Sequence, residues 1–158
     1  MRLINQMCGG LLMLALLTPP AASAAPTIGA CSPTKVKYIV STLVHQTNLP
    51  TYGNIPEAAL GFVQGGIRAS CVIVRFSAEV FAGPSDFLYL RAFLDGTTAA
   101  LPVEIQFAVA DATGPSARSF EFVFPNVPPG NHVVRMQYRS GGGGFVTIWD
   151  HTTVLQYQ

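Results

Sequence analysis

The chain has 158 residues, of which 49% are hydrophobic and only 11% charged, with nine Lys and Arg against eight Asp and Glu. This length suits one domain with a small appendage, and the apolar content excludes a disordered tail. The near-neutral balance lacks the basic face that nucleic acid or an anionic membrane surface would require, so both are excluded as partners.

Residues 1–24 read as a cleaved secretory signal peptide. Arg2 supplies the positive start, Leu11 to Leu17 the apolar run, and Ala22-Ser23-Ala24 the small-residue cleavage site. The run is shorter than the about 20 residues a bilayer span needs, and no later segment is long enough, so no transmembrane segment is expected. The mature chain is then soluble, secreted or periplasmic, and starts at Ala25. Arg2 and Cys8 leave with the signal. Eight basic residues then face eight acidic ones, and Cys31 and Cys71 remain. In an oxidising compartment this pair reads as one disulfide. It would close a loop of roughly 40 residues, worth about 4 kcal/mol by chain entropy. A rival reading makes Ile28-Gly29-Ala30-Cys31 a lipoprotein processing site, with the chain lipid-anchored through Cys31. The apolar run ends at Leu17 and three prolines intervene, which disfavours it.

Residues 25–34 read as an N-terminal arm, and residues 35–158 as a single domain. Val36, Tyr38, Val40, Thr42 and Val44 alternate with Lys35, Lys37, Ile39, Ser41 and Leu43, a β-branched run with poor polarity contrast. Thr47 to Pro56 has the Asn, Pro and Gly of a loop, and Leu60 to Gln64 reads as a strand. In Cys71 to Val80, the set Val72, Val74, Phe76, Ala78 and Val80 forms one face of a half-buried strand. Gly83-Pro84-Ser85-Asp86 is a turn. Leu88, Leu90, Ala92 and Leu94 form the next inner face, and Asp95-Gly96 stops that strand. Val103, Ile105 and Phe107 alternate with Glu104 and Gln106, and Phe120, Phe122 and Phe124 with Ser119, Glu121 and Val123. Pro125 to Asn131 is expected to be irregular. His132, Val134, Met136 and Tyr138 then make an inner face. No stretch has helical periodicity. The expected fold is all-β: an antiparallel two-sheet β-sandwich of about 8–10 strands, immunoglobulin-like or jelly-roll.

The stretch Arg139-Ser140-Gly141-Gly142-Gly143-Gly144-Phe145-Val146-Thr147-Ile148-Trp149-Asp150-His151 invites a chemical reading. A phosphate loop needs a Lys and a following helix, and neither is present. The glycines read instead as a flexible hairpin tip. Asp150 and His151 are neighbours on a strand and point to opposite faces. With no nucleophile elbow in the sequence, no catalytic residue is assigned. His45, His132 and His151 lack metal-ligand spacing, so no metal and no cofactor is expected. His132 reads as a structural residue bonded to a nearby loop. Phe145, Trp149 and Tyr157 share one parity. With Val146 and Ile148 inward, those rings would form an outer platform for a glycan or a protein partner.

Four segments carry a resemblance: Cys71 to Glu79, Leu90 to Thr97, Phe120 to Phe124, and Pro129-Gly130-Asn131-His132-Val133-Val134 running on to Ser140. From Cys71 to the C-terminus the chain resembles a group of exported bacterial β-sandwich proteins of uncharacterised activity. The Pro-Gly-x-His-x-Val segment is the most specific part, and is similar to the turn-to-strand entry of immunoglobulin-like and fibronectin-like modules. The resemblance implies no catalytic residues. The expectation is an exported, non-enzymatic module that binds an envelope or matrix glycan or a protein. A self-assembling subunit (a homo-oligomer) is the alternative, and a hydrolase with an unrecognised site stands behind both.

Overall fold

The computed structural model describes residues 31–110 and 114–158. The signal peptide and most of the arm lie outside the described residues. Ten strands follow in chain order: β1 (Lys35–Ser41), β2 (His45–Thr47), β3 (Gly53–Gln64), β4 (Ser70–Ala82), β5 (Phe87–Leu94), β6 (Thr98–Ala99), β7 (Ile105–Val109), β8 (Ser116–Val127), β9 (Gly130–Ser140) and β10 (Val146–Tyr157). No helix occurs among the described residues.

The strands form two antiparallel sheets. One has the order β1-β10-β4-β8, with β2 also on β10. The other has the order β3-β9-β5, with β6 and β7 both on β5. The long pairings are nested: β1 with β10, β3 with β9, β4 with β8, and β5 with β7. The chain thus behaves as one long antiparallel hairpin rolled up so that successive turns join alternate sheets. That is the jelly roll rather than the immunoglobulin arrangement.

Period-two alternation supplies the core. Val72, Val74, Phe76, Ala78 and Val80 of β4 meet Leu88, Leu90, Ala92 and Leu94 of β5 between the sheets. Phe122, Phe124, Val134, Met136, Val146, Ile148 and Leu155 complete the layer. Each large side chain buried there contributes about 1.5–3 kcal/mol. The Asp95-Gly96 stop is a type I′ turn. Both residues have positive φ, 53° and 75°, and Thr97 N–H donates to the Leu94 carbonyl at 3.2 Å.

Four expectations need correction. The Thr47 to Pro56 segment is not all loop, because β3 already begins at Gly53. Pro56 is tolerated there since β3 is an edge strand and its register with β9 shifts between Asn54 and Ala59. Pro125 to Asn131 is mostly strand, with only Pro128 and Pro129 between β8 and β9. Pro125 falls where the β4–β8 register shifts, on an edge strand, so its missing N–H costs no ladder bond. Val36 to Val44 is not one strand, because β1 ends at Ser41 and three residues precede β2. Phe120 shares parity with Phe122 and Phe124 but, on the edge strand β8, stays partly exposed and edge-on to Phe122.

Cys31 and Cys71 form a disulfide with a Cα–Cα distance of 5.5 Å. It ties the segment before β1 to the start of β4, and Thr34 N–H donates to the Tyr157 carbonyl on the way. Replacing both cysteines with serine should lower the unfolding free energy by about 2–5 kcal/mol. Urea unfolding checks this, and an unchanged midpoint would contradict it.

Candidate functional site

The glycine run is clamped. Asp86, 1% exposed, sits beneath it and accepts hydrogen bonds from the backbone N–H of Gly142 (2.6 Å), Phe87 (2.6 Å) and Gly141 (3.1 Å), and from Ser140 Oγ (2.9 Å). Gly143 N–H donates to Ser140 Oγ at 2.8 Å. The glycines are needed for close approach. A Cβ at Gly142 would stand 2.7 Å from the Ser85 carbonyl oxygen, and one at Gly141 would stand 2.6 Å from the Tyr89 ring. The expected flexible hairpin tip is therefore a fixed loop docked on the β4–β5 turn, and it is no hairpin, because β9 and β10 lie in different sheets and do not pair. Burial pushes the Asp86 carboxyl up, but the bonds from Gly142, Phe87, Ser140 and Gly141 outweigh it and hold the group below its ordinary value.

The structure places the three expected platform rings apart. Phe145 is exposed just before β10, and Trp149 is half-buried beside Phe81. The β10–β4 register shifts between Ile148 and His151, so inward parity passes from Val146 and Ile148 to His151, Thr153 and Leu155. Tyr157 therefore turns inward and packs on Phe62 at 5.1 Å. It lies a full strand length from Phe145, roughly 40 Å at 3.3 Å per residue. The same bulge leaves Asp150 in solvent and His151 in the core.

His132 has the structural role expected of it. Its Nδ1 bonds Asp95 Oδ2 at 2.7 Å, and its Nε2 bonds the Pro128 carbonyl at 2.9 Å. His45 and His151 converge, with ring centroids 5.5 Å apart, both buried. Spacing could not reveal this, since the pair is made by β2 and β10 coming side by side. Both His151 ring nitrogens and His45 Nε2 lack hydrogen-bond partners. The Trp149 and Glu57 carbonyls approach the His151 ring without reaching good geometry. Burial, then the neighbouring His45, holds the His151 pKa down. Among the described residues no three His, Cys, Asp or Glu side chains come together to hold a metal.

The anomaly lies at the β1 edge. Lys37, Ile39 and Ser41 face inward: Lys37 Nζ donates to the Gly61 carbonyl at 2.7 Å, and Ser41 Oγ donates to Glu57 Oε2 at 2.5 Å. Glu57 adopts a positive φ of 58° in the β3 bulge that carries it there. The outward row is then Val36, Tyr38 and Val40, which are 66%, 69% and 57% exposed. Leu43 and Val44 follow, also exposed. An outward sheet face is ordinarily polar. Lysine commonly guards an edge, but Lys37 is turned onto β3 and the Lys35 ammonium lies over the Tyr157 ring.

The outer face of the other sheet is closed by contrast. Arg91 stacks on Tyr52 at 3.7 Å and donates to Gln137. Arg139 stacks on Tyr89 at 4.0 Å and pairs with Glu104 at 3.1 Å. Tyr52 also donates to Glu104. Burial, followed by that hydrogen bond, raises the Tyr52 pKa strongly.

No family model matches the sequence, and no curated protein matches it. Among solved structures the chain is similar to the infectious bursal disease virus VP2 subviral particle, with TM-score 0.51 and 10% identity over 85% of this chain and 38% of that one. It is also similar to dimeric latent PorU from Porphyromonas gingivalis, with TM-score 0.45 and 14% identity over 83% of this chain and 14% of that one. A third similarity is to Bacillus endospore appendages that form disulfide-linked pili, with TM-score 0.30 and 9% identity over 84% and 98%. The chain spans under two-fifths of the length of VP2. At these identities the likeness concerns the fold alone.

Two pH effects follow. His151 is held neutral, so its contribution is complete above its ordinary value of 6.5 and is lost as pH falls below it towards the depressed folded value. Melting temperature should drop between neutral pH and about pH 5, and His151→Leu should flatten that limb. An unchanged limb would show that His151 does not titrate there. The Asp86 contribution is complete above 3.8 and is lost only below it. At neutral pH, Asp86→Ala strands several buried donors and should cost about 3 kcal/mol or more in chemical denaturation.

Proposed function

We propose that the protein is an exported structural subunit that associates with copies of itself, and that it acts through this association rather than by catalysis. The observation that carries the reading is the outward Val36-Tyr38-Val40 row, more than half exposed, on a strand whose outer backbone edge pairs with no strand among the described residues. Such an edge is a template for strand pairing, and chains that stay monomeric guard against it. Burying the row would remove apolar surface from water and satisfy the outward N–H and carbonyl groups together.

Two further observations support the reading. The disulfide fits an oxidising compartment outside the cytosol. The fold is also similar to that of a part of VP2, a protein of a subviral particle. A glycan partner has less support, because Phe145, Trp149 and Tyr157 do not make one platform.

Sedimentation velocity across a concentration series tests the proposal. The expected result is a mass above that of the single chain, rising with concentration. Tyr38→Lys and Val40→Lys should restore the monomer while leaving Trp149 fluorescence and melting temperature near wild type. A protein that stays monomeric throughout, or variants that associate as well as wild type, would overturn it.

A further inference from the structure

We infer that β1 pairs antiparallel with β1 of a second copy about a two-fold axis at Tyr38, which makes one continuous sheet across a closed dimer. The inference rests on the self-association reading and specifies its geometry.

The choice of partner edge comes from the other edges. β3 is interrupted by Pro56, by Glu57 at positive φ and by a register shift, and its regular part faces β1 across the Lys37–Gly61 bond. β8 carries Pro125 and is bridged at Val123 by Leu101, with reciprocal N–H to carbonyl bonds of 2.8 Å. The remaining edge is split between the two residues of β6 and the five of β7, whose register with β5 also shifts. Proline, bulges, short strands and covering segments are the usual ways to blunt an edge. β1 has an unbroken register with β10 from Lys35 to Ser41 and none of these devices. Among the described strands, the regular edge best suited to accept β1 is another β1. Contact between identical patches is isologous, so the assembly closes as a two-fold dimer.

Charge and parity set the register. Strands that share a sheet must keep their outer residues on one face, which allows only alternate registers. Parallel in-register pairing would place Lys35 on Lys35 and Lys37 on Lys37, and like charges directly opposite are destabilising. Centring the antiparallel pair on Lys37 again opposes the two Lys37 ammonium groups. Centring it on Tyr38 uses the whole strand. Val36 then faces Val40, Lys37 faces Ile39, Lys35 faces Ser41, and Tyr38 faces its own copy. The outer row becomes Val-Tyr-Val against Val-Tyr-Val, with each Lys35 at an end of the seam and the two Lys37 diagonal rather than directly opposite. The described residues before β1, Cys31 to Thr34, lead away from this edge, because the disulfide draws Cys31 towards β4 past the end of β10. A seven-residue seam is small for a stable interface, so the dimer should form in a concentration-dependent way.

Cysteine crosslinking of the full chain, with the Cys31–Cys71 bond intact, tests the register. On mild oxidation Tyr38→Cys should give a covalent dimer. Val36→Cys and Val40→Cys should each stay uncrosslinked alone and crosslink when mixed. The mixture retains the Tyr38 ring and so covers the case in which Tyr38→Cys weakens the seam or fails to fold. Suppose sedimentation shows association, but Val36→Cys links to itself or the mixture does not link. Then the register is wrong while self-association stands. A wild-type protein that is monomeric by sedimentation removes the underlying reading and this inference with it.

Discussion

The first sheet depends on one irregularity in β10. That strand pairs with β1, β2 and β4, so its side chains decide what enters the core on that side. A twelve-residue strand of strict alternation could bury Val146 and Ile148 or Leu155, but not all three. The register shift between Ile148 and His151 resolves the conflict by adding one residue of parity. All three are then fully buried. The cost is local: His151 and Thr153 enter the core with polar atoms unpaired, and His151 meets His45 there. Burial, then the neighbouring His45, holds the His151 pKa down, so the His151 ring is tolerated there near neutral pH without carrying charge.

The inner strands of the roll were legible because their residues contrast. Val72 to Val80, Leu88 to Leu94 and Val134 to Tyr138 each bury the parity that the alternation implied. Asp95-Gly96 contains its own turn geometry. Legibility failed where a parity is set from outside the strand. Tyr157 was placed with Phe145 and Trp149 by counting in twos, and nothing in Thr147-Ile148-Trp149-Asp150 announces a bulge. The sandwich class could be read from strand spacing. The jelly-roll order could not, because nested pairing is a property of partners far apart in the chain.

The glycine run shows the same limit in another form. Asp86 reads as an ordinary turn residue after Gly83-Pro84-Ser85. Its carboxylate reaches donors more than 50 residues away, and these bonds fix the loop. Four glycines in a row suggest freedom, but Gly141, Gly142 and Gly144 are small because the turn and the Tyr89 ring lie against them. Gly143, with φ of 84° and open space around it, is the one whose backbone angle demands glycine.

In β1 the sequence is ambiguous and the structure decides. Lys-Val-Lys-Tyr-Ile-Val-Ser has an apolar residue on either parity, so alternation alone does not choose an inner face. β3 chooses it. The Gly61 carbonyl and the Glu57 carboxylate stand where Lys37 and Ser41 can bond them, and Ile39 between them packs on the core. Reversing the strand would bury Tyr38 and two valines but would strand both acceptors and return two ammonium groups to the edge. The fold therefore pairs its polar inner row and leaves its apolar row outside. This arrangement leaves a surface cost in a monomer. Under the pairing proposed above, a second β1 laid beside it would shield the flanks of the outward row by cross-strand contact and so reduce that cost.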